Sequence, residues 1–148
     1  MERPRFLAFC LFGLAGWTLF VWGTRINNAL GDAELSGGGK AFSIGLSVTL
    51  IALAVAAVVA RLRRHPVAER IATIFAWVSI GVWVIRLPMI LIADHSVGFK
   101  VVHGLLGLVA ISLAAIVLWG LRPRVNVPLP DEQVSATAME SSDHAGRR

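Results

Sequence analysis

Arg86 lies inside Ile71 to Ile92, an apolar run long enough to cross a membrane. A guanidinium stays charged at any accessible pH, and burying it unpaired in hydrocarbon costs several kcal/mol even on permissive insertion scales. Arg86 must therefore snorkel to the interface, meet an anion or face a wet cavity. It stands six residues before Ile92, about 9 Å below that end of its span at ~1.5 Å per residue, near the limit of an arginine's reach. His103 enters the following apolar run to a similar depth, four residues past Phe99, so the two side chains are expected to be close. Asp94 is the acidic residue placed to pair with Arg86, and Arg25 and Lys100 fall at the mouth. Together Arg86, His103, Asp94, Lys100 and Arg25 form a candidate positive pocket for an anionic head group. A lone intramembrane histidine serves equally well as a hydrogen-bonded packing residue. Pro88 removes a backbone donor and frees the carbonyl of Val84, so a kink is expected here; kinked polar turns within a bundle are where membrane proteins place sites.

Other chemistry finds little footing. Bis-histidine haem ligation needs imidazoles on facing helices, and His103 is the one histidine within an apolar run. There is no HExxH, no cysteine pair and no carboxylate inside a span, so neither a metal site nor a cation or proton path is expected. Cys10 falls near the membrane face opposite His103, which leaves no nucleophile-base pair. Ser36-Gly37-Gly38-Gly39-Lys40 has the look of a phosphate-binding loop, but Glu34 stands where its first glycine is required and Ala41 where its hydroxyl is required. The segment reads as a flexible glycine hinge. The expectation is a protein with no catalytic residues, no metal and no cofactor.

The elements that must position Arg86 follow from composition. The chain has 148 residues, 56% of them hydrophobic, and a mean hydropathy of +0.72. Spans are expected at about 6-28, 42-61, 69-93 and 97-121, forming an all-α, antiparallel transmembrane four-helix bundle over residues 1-121. The turns at 61-70 and 94-98 are short enough to pair consecutive spans as hairpins, and Asp94 or Ser96 is the expected cap of the last. Residues 122-148 turn polar and carry Pro123, Pro128 and Pro130; a disordered cytoplasmic tail is expected.

Basic residues set the orientation, because they collect on the cytoplasmic side of bacterial membranes. One side receives Arg3 and Arg5, the cluster Arg61, Arg63, Arg64 and Arg70, and Arg122, Arg124, Arg147 and Arg148; the other receives Arg25, Lys40 and Lys100. Both termini are thus expected in the cytoplasm, in a bacterial plasma membrane. The pI near 11 reflects these arginines beside anionic lipid, with no nucleic-acid partner required. A signal-peptide reading of the first span, with Ala29-Leu30-Gly31 as the cleavage site, is disfavoured by the length of the run and by the intervening Arg25.

In lipid, helices meet through small residues and interhelical hydrogen bonds. Gly13, Gly16, Phe20, Gly23 and Asn27 share one face of the first span, Ser43, Ser47, Ala54 and Ala57 mark the second, and Gly107, Ala110 and Ala114 form a seam on the fourth below His103. All are expected to pack inward. Trp17, Trp22, Trp83 and Trp119 fall at depths that suit interfacial belts.

Twelve arginines against two lysines, together with abundant Ala, Val and Gly, fit a GC-rich genome. The stretches from Gly16 to Asn28 and from Ala93 to His103 resemble those of short four-span integral membrane proteins of high-GC Gram-positive bacteria. The resemblance runs from about Phe6 to Pro123 and implies a class of largely uncharacterised membrane proteins, without functional residues. Two functions remain. The first is a non-catalytic accessory or scaffold subunit of a larger membrane assembly, its partners being lipids and either another membrane protein or a second copy of the chain. The second is a lipid- or anion-binding protein, or a small transporter, using the positive pocket around Arg86.

Overall fold

A computed structural model of the chain describes residues 3–33 and 35–122. Four helices fill them: α1 (Arg3–Gly31), α2 (Gly37–Leu62), α3 (Ala68–Ile92) and α4 (Val97–Leu121). Each is long and apolar enough to cross a membrane. Consecutive helices pack side by side and α1 closes the ring against α4, which gives an up-down-up-down bundle. This is the expected all-α fold. The expected disordered tail, 122–148, lies outside the described residues except for Arg122.

Helix ends follow local chemistry. Ser36 Oγ accepts from the Gly39 amide at 3.2 Å and Ser96 Oγ from the Phe99 amide at 3.3 Å, so α2 and α4 each start on a serine cap. Ser96 takes the capping role for which Asp94 was the other candidate. Gly37, Gly38 and Gly39 form the first turn of α2, not the flexible hinge their run implies; the cap supplies the bond that holds them. At the α2–α3 turn the His65 amide reaches the Ala60 carbonyl and the Arg64 amide the Arg61 carbonyl. That is a Schellman ending with Arg64 in its left-handed position, φ 53°. Helix α3 continues unbroken through Pro88.

Packing differs between the two ends of the bundle. At the end holding the termini and the α2–α3 turn, Leu11, Leu14, Ala15, Ala54, Ala57, Phe75, Ala76, Ala114 and Val117 form a continuous apolar core. Small residues let the backbones approach, and Phe75 and Leu14 fill the centre. The opposite end buries Trp22, Ser43, Ser47 and Trp83 and is hollow around them.

The inward face of α1 differs from the expected one. Gly16, Phe20, Gly23 and Asn27 are exposed, as is Gly13, although a Cβ on Gly13 would lie 3.9 Å from Leu113 Cδ2; α1 buries Leu11, Leu14, Ala15, Thr18 and Trp22 instead. A Cβ built on Gly16 or Gly23 meets nothing within 4 Å. Small size lets a face pack closely, but it does not say against what, and inside its own bundle α1 uses larger side chains. The other two stripes point inward as expected: Ser43, Ser47, Ala54 and Ala57 on α2, and Gly107, Ala110 and Ala114 on α4.

Candidate functional site: an arginine pair between two cavities

The site lies in the hollow half and is built upward from Gly107. A Cβ there would come within 2.7 Å of Trp83 Cε3 and 2.9 Å of Leu87 Cδ1, so only glycine lets α3 seat its indole against α4. Trp83 in turn meets Trp22 of α1 across the bundle, with ring centroids 6.4 Å apart and planes tilted by 58°. Both indoles are buried, which removes them from the interfacial belt expected for them. Trp17, half-buried, is also engaged within the protein, its Nε1–H donating to the Leu106 carbonyl at 3.2 Å and tying α1 to α4.

Arg86 stands on this aromatic floor, one turn beyond Trp83. Its Cζ lies 5.3 Å from the centroid of the Trp22 ring, a cation–π contact worth about 0.5–2 kcal/mol, depending on desolvation. Among the described residues, none accepts a hydrogen bond from its guanidinium and no carboxylate pairs with it. Arg25, one turn beyond Trp22 on α1, is the neighbouring cation. Its Nε–H donates to Ser43 Oγ at 2.9 Å, which ties Arg25 to α2; Ser47 Oγ separately donates to the Ser43 carbonyl at 2.7 Å within that helix.

Arg25 and Arg86 together line two separate cavities. The larger, about 570 Å³, runs between α2 and α3, with Phe42, Leu46, Val82, Ile85 and Met89 among its walls and Ser43 beside the arginines. The smaller, about 200 Å³, lies between α1 and α4 and adds Thr24, Asn28 and His103 to the two cations. One face of the arginine pair is thus apolar and the other mixed, with Val21, Phe99 and Leu106 lining it beside Thr24, Asn28 and His103.

The structure brings Arg25, Arg86 and His103 around one cavity, as their depths imply. It does not bring in Asp94 or Lys100. Asp94 is exposed in the α3–α4 turn and Lys100 is half-buried in the first turn of α4, and neither lines a cavity. His103 Nδ1 lies 2.9 Å from the Phe99 carbonyl and its ring stacks on Phe99 at 3.9 Å, so part of its bonding is spent within α4. Sequence reasoning missed Ser43 as the partner of Arg25 and the two tryptophans as the floor beneath Arg86. Serine four residues from serine on an apolar helix was the visible signal for the former.

No family model, no curated protein and no solved structure matches the chain. Its function must be read from the site alone. Among the described residues no His/Cys/Asp/Glu group is arranged to hold a metal ion, and Cys10 is buried in the apolar core at the opposite end from His103.

Proposed function

We propose that this multi-pass membrane protein is a non-catalytic binding protein whose ligand is an anion held between Arg25 and Arg86. One observation carries the reading: two guanidiniums line the same two cavities, and among the described residues neither has a carboxylate partner. Two like charges held close in a low-dielectric site repel, and a bound oxyanion converts that repulsion into attraction to both. With both termini cytoplasmic, as the distribution of basic residues favours, the pocket sits in the outer leaflet of a bacterial plasma membrane.

The test uses Trp22 and Trp83 as built-in reporters. Titrating the detergent-solubilised protein with butyrate or inorganic phosphate should change its tryptophan emission saturably, and Arg86→Gln should abolish the change. Ligand-free Arg86→Gln should melt no lower than the wild type, because it removes an uncompensated charge. An unaltered titration in Arg86→Gln would refute the reading.

A second reading, the accessory or scaffold subunit, rests on α1. Its outward face carries Gly13, Gly16 and Gly23 beside exposed Phe9, Phe12 and Phe20, a surface suited to another transmembrane helix. A Cβ on Gly16 meets nothing within 4 Å, so Gly16→Leu extends outward from the bundle's exposed face. It should therefore leave the melting temperature unchanged while removing any protein that co-purifies in mild detergent; retention of the same companions would count against this reading.

A further inference from the structure

Taking the anion reading as its premise, we infer that the ligand is an amphiphile: an oxyanion on a long apolar chain, the head between Arg25 and Arg86 and the chain in the cleft between α2 and α3, entered sideways from the bilayer. The shape of the site asks for both parts. A site for a small free anion needs donors and little else, whereas here the donors stand at the side of a cleft of about 570 Å³, within the range of sites that enclose drug-sized ligands. Apart from Arg25, Ser43, Arg86 and His95, the lining is apolar, and an apolar cleft offers a free phosphate or carboxylate nothing.

The mouth of the cleft points the same way. Phe42, Ile85 and Met89 line it and are 73%, 67% and 66% exposed, so its rim lies on the outer surface of the bundle where acyl chains run. An entering chain stays in an apolar medium throughout. Entry from water would instead bring the same apolar chain through solvent to the loop end of the cleft, where Leu35, Gly39 and the exposed His95 stand. Depth fits as well: Arg86 stands about 9 Å inside the end of its helix, close to where the head group of a leaflet amphiphile gives way to its tail. The second cavity, on the other side of the same two cations, leaves room for the rest of a head group larger than a carboxylate.

The experiment compares chain length in two proteins reconstituted in phosphatidylcholine nanodiscs: the wild type and Leu46→Trp, which narrows the apolar part of the cleft. Equilibrium binding above empty nanodiscs is measured for palmitate and lysophosphatidate, with butyrate and inorganic phosphate as their tail-less counterparts. Wild-type protein should bind all four ligands or one matched long and short pair, the pair identifying carboxylate or phosphate as the head. Leu46→Trp should lose the long-chain ligand at least tenfold and keep the short one, and the retained short-anion binding shows that the variant is folded. Val82→Phe, on the opposite wall, should repeat the loss. Long-chain binding unaltered in both variants would overturn the placement of the tail while leaving the anion reading intact. Absence of binding of any of the four to the wild type would overturn both.

Discussion

Gly107→Ala tests the architecture of the site with one methyl group. Its Cβ would fall 2.7 Å from Trp83 Cε3, 2.9 Å from Leu87 Cδ1 and 3.0 Å from Leu87 Cδ2, well inside van der Waals contact. Leu87 can rotate its branched end away. Trp83 has less freedom, being 4% exposed and packed on Trp22, so its ring or the α3–α4 spacing has to shift. Overpacking of this kind costs about 1–3 kcal/mol, from which the better helix propensity of alanine returns up to about 1 kcal/mol. The expected net loss is about 1–2 kcal/mol, read as a drop of several degrees in the melting temperature of the detergent-solubilised protein. Two glycines on the same helix calibrate the measurement. A Cβ on Gly104 meets nothing within 4 Å, and one on Gly120 meets only Leu7, whose nearest atom, Cδ1 at 2.9 Å, is a side-chain tip; their alanine variants should melt at or near the wild-type temperature. Because Trp83 supports the Trp22 ring beneath Arg86, Gly107→Ala should also shift tryptophan emission and weaken anion binding. If it melted like Gly104→Ala with unchanged emission, the stack from α4 to Arg86 would not exist as described.

Two further outcomes can be checked alongside it. Arg64 holds φ 53° at a position where glycine is favoured and an L side chain costs about 1 kcal/mol, so Arg64→Gly should raise stability by roughly that amount in thermal unfolding, while Arg64→Val should lower it. Ser43→Ala removes the acceptor for Arg25 but leaves the Ser43 carbonyl that Ser47 uses; the change in melting temperature should be small, since interhelical hydrogen bonds in membranes average ~0.6 kcal/mol, whereas anion titrations should weaken measurably because Arg25 is released from α2.

How much of this was visible in the sequence depended on which physical constraint wrote it. The four helices were legible because a bilayer demands about 20 apolar residues per crossing, and the short turns forced antiparallel neighbours. Arg86 and His103 were legible as a pair because depth along a helix is arithmetic and their depths coincide, whereas Arg25 was expected only at the mouth. Which way each helix faces was harder. Around a soluble helix the apolar side is the inner side, but in lipid every side is apolar, so periodicity no longer separates core from surface. On α4 a histidine above Gly107, Ala110 and Ala114 broke the symmetry correctly. On α1 the glycines pointed to the wrong face, because nothing in their spacing distinguishes a seam within the bundle from a surface for another helix. The burial of Trp22 and Trp83 was hidden for the same reason: an indole at interfacial depth looks alike whether it meets head groups or another indole.

The division of the bundle into a packed half and a hollow half explains how the second can exist. Guanidiniums with no carboxylate partner among the described residues and two cavities are destabilising, and in a bundle held by packing they need a region that does not share the cost. Leu14, Ala54, Phe75, Ala76, Ala114 and Val117, drawn from all four helices, are each fully buried and line neither arginine cavity. Gly107 and the Trp22–Trp83 pair mark the boundary. Beyond it the helices stay aligned by the packing below and by the links from Trp17 to α4 and Arg25 to α2. Removing the charge should therefore stabilise the hollow half without altering the packed one, whereas cutting Phe75 to alanine should unfold both, at a cost of about 3–5 kcal/mol. That difference in response between Arg86 and Phe75 is what separates a site carried by a scaffold from a residue of the scaffold itself.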